Sequence, residues 1–289
     1  MWVLRFLFEP PMNINGNTEL IAHIGYPTHT FKSPMIYNPY FEQAGINAMV
    51  VPMGCQAAHY PAFLKSVFTL TNIRGALITM PHKVVTVDLL DEVTPTVRVA
   101  GACNAVKRTE DGRLVGDMFD GAGFVRGVQR KGFDLRGKRV LVVGTGGVGC
   151  AIAASLAGAG IAAISLFDMN NASAQALGDR LKTNYPQIEV RLGSNDPAEH
   201  DLVVNATPMG MNDGDALPMD VSRIAPDTFV GEVVMKTEMT AFLKAAQARG
   251  CRVQVGSDML FEQIPAYLEY FGFATTTAEN LRSVARLSY

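Results

Sequence analysis

Short apolar runs alternate with amphipathic stretches along the first half of the chain. "ELIAHIG" (Glu19–Gly25), "NAMVVPM" (Asn47–Met53), "GALITM" (Gly75–Met80) and "AVKRT" (Ala105–Thr109) read as strands with helical segments between them. That alternation argues for βαβ units and a mostly parallel sheet. From about Arg126 to Arg136 a polar helix and a glycine-containing turn lead into a stronger pattern. "KRVLVVG" is a buried strand, "TGGVGCAIAASLAGAG" a glycine-led helix and "AAISLFD" a second strand, and "EVRLG", "DLVVNAT", "TFVGEVV" and "RVQVG" continue the series. The tail, "DMLFEQIPAYLEYFGF" and "TTAENLRSVARL", reads as two helices without a strand. The expected architecture is α/β with two domains. Residues 1–119, completed by 256–289, form the first, and residues 120–255 the second, so that the last helices return to the first domain.

Composition narrows the class without changing this outline. Apolar residues make up 48% and charged residues 18% of the 289, which suits a well-buried globular chain. A net charge of −2 and the absence of long charged runs give no support to a nucleic-acid or membrane surface. Cys55, Cys103, Cys150 and Cys251 are scattered and read as reduced core residues of a cytoplasmic protein. The five histidines show no ligand spacing, so no metal site is expected. The apolar part of "MWVLRFLFEPPMNING" is too short for a signal core or a membrane span, and Met12 is a second candidate for the start of translation. A monomer or homodimer is expected.

"VLVVGTGGVGCAIA" sets Gly144, Gly146 and Gly149 in G-x-G-x-x-G spacing, after a strand and at the opening of a helix. The first glycine permits the tight turn, the second lets backbone approach a pyrophosphate, and the third lets helix and strand pack closely. The helix N-terminus then offers N–H groups and a favourable dipole to phosphates. The second domain is therefore expected to be a Rossmann-type, doubly wound dinucleotide-binding domain. The next strand ends in Asp168, near the expected offset of about 20 residues, where a carboxylate accepts from ribose hydroxyls and repels a 2′-phosphate. Met169 and Asn170 supply no guanidinium, so NAD is expected over NADP; the alternative is an acid that caps the following helix. "DLVVNATPMGM" ends a strand at the ligand crevice. There Asn205 and Thr207 can hydrogen-bond and the methionines can pack on a nicotinamide, or the segment is simply a turn-rich loop.

Two further positions carry candidate chemistry. In "GALITMPHKVVTVDLLDEV" a strand meets Pro81 and is expected to become an amphipathic helix with Lys83 in its first turn. A cation there opposes the helix dipole at a cost of about 0.3–1 kcal/mol. It is either a solvated lysine or, beside a carboxylate, a proton donor and acceptor. In "GDMFDGAGF", Asp120 is either an N-cap or the partner of that lysine, while Asp117 is expected to point elsewhere.

Seven segments, in order, resemble the shikimate/quinate dehydrogenase family. They are "GYPTHTFKSP" (Gly25–Pro34), "LITMPHK", "GACNA", "MFDGAGF", the glycine-rich turn, "NATPMGM" and "GSDMLFEQ", together covering about Glu19 to the C-terminus. The resemblance implies a substrate domain and a nucleotide domain with the active site in the cleft between them. It implies Lys83 and Asp120 as the catalytic pair. It also implies Thr79, Asn104 and Gln263 as ligands of a cyclic hydroxy acid. Gly144, Gly146, Gly147, Val148 and Asp168 match the cofactor site, with Met169, Val233 and Gly256 nearby. The reaction so implied is hydride transfer between a nicotinamide and a ring carbon bearing a secondary alcohol.

Departures from the family pattern run from polar to apolar. Where the family offers two serines to the substrate carboxylate, this chain has Phe31 and Ser33, while Leu77, Met118 and Met235 replace two asparagines and a tyrosine. A hydrogen bond to a charged group contributes about 1.5–3 kcal/mol, so one lost donor weakens carboxylate binding by roughly ten- to over a hundredfold. Lys32 and Thr30 are candidates to compensate. The readings left open are a shikimate or quinate dehydrogenase with altered carboxylate recognition, a relative acting on a different cyclic hydroxy substrate, and a non-catalytic dinucleotide sensor.

Overall fold

The computed structural model describes residues 14–287. The Met12 start and the opening apolar run lie outside the described residues.

The first half builds one sheet. Its strands are β1 (Glu19–Gly25), β2 (Ala48–Gly54), β3 (Ile73–Ile78), β4 (Glu92–Val93), β5 (Ala105–Arg108) and β6 (Leu114–Asp117), in the order β2-β1-β3-β5-β6-β4. β1 lies parallel between β2 and β3. The sheet is mostly parallel, as expected, with one strand reversed: β5 runs antiparallel to both of its neighbours, β3 and β6. The β5–β6 pairing has a local cause. "EDG" closes a tight hairpin with Gly112 at φ +89°, a left-handed conformation that suits glycine. Helices α1 (Pro34–Ala44), α2 (Tyr60–Val67) and α3 (Pro95–Ala100) complete this part.

The chain then enters α4 (Asp120–Arg130), and the second sheet follows with β7 (Arg139–Val143), α5 (Gly147–Gly158), β8 (Ala163–Phe167), α6 (Asn171–Asn184), β9 (Glu189–Leu192), β10 (Leu202–Asn205), β11 (Phe229–Glu232), α7 (Ala241–Ala248) and β12 (Arg252–Gln254). Every pairing is parallel, and the order β12-β11-β10-β7-β8-β9 is that of a doubly wound Rossmann sheet. β7 and β10 are covered on both faces, which is why "VLVV" and "LVVN" read as unbroken apolar runs.

Two helices close the chain, α8 (Gly256–Phe271) and α9 (Ala278–Val284). α8 is apolar almost all round and therefore buried. Leu260, Phe261, Ile264, Tyr267, Leu268 and Phe271 share one core with Ile21, Ile36, Tyr37, Phe41 and Val50 of the first half. The last helices thus return to the first sheet.

α4 joins the two halves, and its glycines set how closely. A Cβ at Gly121 would lie 2.0 Å from the Ala151 carbonyl oxygen of α5, and one at Gly123 would lie 2.5 Å from the Met259 carbonyl oxygen of α8. "DGAGF" is therefore a small-residue seam between two helices, with an acid at its head.

Candidate active site

The carboxyl ends of β1 and β3 open toward the second sheet, and the loop after β3 carries Lys83. Backbone bonds hold that loop: the Thr79 N–H donates to the Ile24 carbonyl, the Tyr26 N–H to Met80, and the Cys103 N–H to the carbonyl of Lys83 itself. His82 is fully buried, stacks on Tyr60 at 3.9 Å between ring centroids, and its Nε2 lies 2.8 Å from the Cys55 carbonyl oxygen. The expected helix is absent here. Residues 79–84 form turns, and only a short 3-10 segment, Val85–Leu89, follows. Lys83 therefore does not sit in the first turn of an α-helix, and the expected dipole penalty does not arise.

Lys83 Nζ donates to Asp120 Oδ2 at 2.5 Å, and both side chains are largely buried. The sequence left Asp120 open as an N-cap. Asp120 is instead the first residue of α4, the preceding Phe119 makes no capping bond, and the carboxylate is turned to the lysine. Asn104 fixes this corner, its Oδ1 accepting from the Phe119 N–H at 2.9 Å. Asp117 points elsewhere, its Oδ1 accepting from the Thr94 hydroxyl.

Both charged groups face a cavity of about 240 Å³. Phe31, Ser33, Leu77 and Thr79 line it from the first half, Gln263 from α8, Val148 and Met235 from the second sheet's side, and Lys32 and Thr30 also reach its wall. Asn104 is fully buried, with Nδ2 lacking a protein partner among the described residues. Met118 is fully buried in the main core, so that departure from the family pattern does not face the cavity. The sequence reading missed His23 and Tyr37, which also line the cavity. Their signal was a polar group within an otherwise apolar buried segment. Burial, reinforced by repulsion from Lys83, pushes the His23 pKa down to about 3, and its ring stacks on Phe31 at 4.1 Å.

The glycine-rich turn lies at the C-terminal end of β7. Gly144 has φ +99°, and a Cβ there would lie 2.8 Å from the Ala206 backbone; at Gly149 a Cβ would lie 2.0 Å from the Gly144 carbonyl oxygen. A Cβ on Gly146 or Gly147 would meet nothing within 4 Å, and α5 begins there without a side-chain cap. An open backbone cradle at an uncapped helix N-terminus fits the pyrophosphate of a dinucleotide. Asp168 Oδ2 accepts from the Thr145 N–H and hydroxyl, and Oδ1 from the Asn170 N–H. Partial burial opposes its ionisation, but those three bonds prevail and hold the carboxyl below the ordinary range. It does not cap α6: Asn170 does, accepting from the Ala172 and Ser173 N–H groups. Met169 is 94% exposed beside it.

The side chains of Asn205 and Thr207 are hydrogen-bonded within their own loop. Asn205 is fully buried, with Oδ1 accepting from the Thr207 N–H and hydroxyl and Nδ2 donating to the Met209 carbonyl. The Thr207 hydroxyl also accepts from the Met209 N–H, so both side chains are engaged in shaping the loop. Val233 is half-buried and donates its N–H to the Asn205 carbonyl. Gly256 lets α8 start against the Val234 carbonyl oxygen, which a Cβ would approach to 2.1 Å. Both positions therefore shape the crevice through backbone packing.

Behind this loop Glu232 is fully buried, its Oε1 without a protein partner among the described residues. Burial raises its carboxyl to about 7, against bonds from Thr240 and Asn205. The folded pKa lies above the unfolded one, so the stability it contributes is full below about pH 4.3 and lost as pH rises through 7. Thermal unfolding at pH 5 and pH 8 should therefore show a larger loss of Tm for wild type than for Glu232→Gln. Equal losses would show that Glu232 does not titrate this way.

A doubly wound sheet with an open glycine-rich turn, facing a second α/β unit across a cavity, defines a two-domain protein of the Rossmann, dinucleotide-binding type. Residues 23–106 match the family described as the shikimate dehydrogenase substrate binding domain, and residues 126–179, which span the glycine-rich turn and Asp168, match the ThiF family. The chain is 32% identical over 281 residues to the shikimate dehydrogenase (NADP(+)) of Desulforamulus reducens, covering 94% of this chain and 96% of that one. It is similar in structure to the shikimate 5-dehydrogenase from Listeria monocytogenes in complex with shikimate and NAD, with a TM-score of 0.88, 26% identity and coverage of 94% and 97%. It is likewise similar to the ligand-free form of the 5-ketofructose reductase of Gluconobacter sp. strain CHM43, with a TM-score of 0.85, 26% identity and coverage of 94% and 99%. The chain belongs to the shikimate dehydrogenase family. It is a dehydrogenase acting on CH–OH with a nicotinamide dinucleotide. Among the described residues no helix is long and apolar enough to cross a membrane.

Proposed function

We propose that this enzyme interconverts a ring secondary alcohol and its ketone, of the shikimate/3-dehydroshikimate or quinate type, with NAD as the preferred dinucleotide. Residues 1–119 with 256–289 would carry the substrate and residues 120–255 the dinucleotide. The observation that carries this reading is the 2.5 Å contact of Lys83 with Asp120 on the wall of a cavity lined from both halves.

The dinucleotide, when bound, accepts or supplies the hydride. In oxidation, Lys83 as the free amine takes the hydroxyl proton; in reduction, its ammonium returns one. Asp120 holds the lysine in place and accepts from a neighbouring hydroxyl. Thr79 and Gln263 orient the ring from the same wall, and fixed geometry contributes as much as acidity does. Asn104 acts through the backbone at the head of α4. For the cofactor, the support is Asp168 at the end of β8 with an exposed methionine and a helix-capping asparagine after it, a set that offers no cation to a 2′-phosphate.

A second reading, a different cyclic hydroxy substrate, is favoured by Phe31, Leu77 and Met235 on the cavity wall. The likeness to a 5-ketofructose reductase also supports it. Ranking kcat/KM for shikimate, quinate and simple cyclohexanediols with NAD and with NADP tests both readings. The expected result is turnover of shikimate or quinate with NAD favoured at least tenfold. A tenfold preference for NADP would overturn the cofactor assignment, and turnover confined to rings without a carboxylate would favour the second reading.

A further inference from the structure

Three residues that line the cavity each hold a buried polar atom without a protein partner among the described residues: His23 Nδ1, Tyr37 Oη and Gln263 Oε1. All three residues are more than nine-tenths buried. A buried polar group with no partner is unfavourable, and such groups are few in native proteins. Gathering three around one cavity is what a site built for an oxygen-rich ligand requires. Gln263 has a role in the reading above; His23 and Tyr37 have none.

We propose that His23 and Tyr37 are specificity-determining residues that bind oxygen substituents of the substrate ring other than the reacting carbinol. The inference rests on the ring-alcohol reading and adds to it two residues that select among ring substituents. His23 is fixed by its stack on Phe31, and its neighbour Lys83 opposes a second positive charge. Its imidazole therefore stays neutral, and one ring nitrogen donates while the other accepts. The Tyr37 phenol is likewise neutral, since burial raises its pKa. Two uncharged groups of this kind recognise hydroxyl or carbonyl oxygens. Phe31 and Leu77 beside them pack against the carbon faces of the ring. A ring lacking those oxygens leaves both groups buried and unpaired, which is how a polar pocket rejects a deoxy analogue.

Tyr37→Phe removes one oxygen and keeps the ring, and His23→Phe keeps the stack on Phe31 while removing both nitrogens. Shikimate is the probe. Its affinity for the dinucleotide-free enzyme is read by calorimetry, and KM and kcat are read with saturating dinucleotide. Each variant is expected to weaken shikimate binding and raise its KM by about 5- to 100-fold. The dinucleotide affinity, kcat and Tm should stay near wild type. Unchanged shikimate affinity in both variants would overturn the proposal. So would a loss shared equally by dinucleotide affinity and Tm, or a wild-type enzyme that binds neither shikimate nor quinate. A wild type that binds shikimate through Tyr37 yet oxidises no ring alcohol would support this inference while ending the catalytic reading.

Discussion

Replacing Lys83 by alanine is expected to lower kcat by about 10²–10⁴-fold while leaving dinucleotide affinity almost unchanged. The size follows from what the side chain would do. A positioned acid–base group contributes to the transition state alone, so its loss appears in kcat rather than in binding. The separation follows from geometry, because Lys83 belongs to the loop after β3 while the phosphate cradle lies at the head of α5. Steady-state kinetics with a titration of reduced dinucleotide fluorescence would measure both quantities. Wild-type turnover in Lys83→Ala would end the assignment of this residue. Lys83→Arg should rescue poorly, since a guanidinium stays protonated and does not take up the hydroxyl proton.

The second large effect is expected at Gly149. A methyl group there would stand 2.0 Å from the Gly144 carbonyl oxygen and 3.2 Å from Ala206 Cβ, and the nearer obstacle is backbone that cannot rotate away. Gly149→Ala should therefore push α5 off β7, at a cost of about 1–3 kcal/mol, and distort the cradle in the same movement. The expected result is a Tm lower by several degrees together with loss of measurable dinucleotide binding. Gly146→Ala provides the contrast. Its added Cβ meets nothing within 4 Å and its φ of −69° suits alanine. That variant should keep its Tm and lose affinity only through crowding of the pyrophosphate. If both variants kept wild-type affinity, the glycine-rich turn would not be the dinucleotide site.

The two glycines show why a motif is only partly legible as sequence. The G-x-G-x-x-G spacing marks a turn between strand and helix, and the Gly144 carbonyl that closes off Gly149 belongs to the same motif, but the Ala206 backbone that closes off Gly144 comes from some sixty residues away. Lys83 was misplaced for a related reason. "PHKVVTVDLL" has the period of a helix, yet His82 is stacked on Tyr60 and tied to Cys55, and those tertiary contacts hold the segment in turns. Asn205 and Thr207 stand where a strand meets the crevice, but their hydrogen-bonding capacity is used within the loop. Composition does not reveal that.

What the sequence by itself determined is the part that depends on local order. Apolar runs of strand length, a glycine-led helix, an acid after the next strand and an apolar tail together specify an α/β chain with a Rossmann-type half and helices that must bury themselves elsewhere. Seven motifs in order placed it in its family. Only the tertiary structure decided which groups meet. Lys83 reaches Asp120 because two glycines draw α4 tightly between α5 and α8. His23 and Tyr37 reach the same cavity because β1 and α1 pack on one core with α8. Contacts between residues far apart in the chain depend on how closely helices and strands approach. That distance is set by side-chain volumes summed across several elements, and no local window contains it.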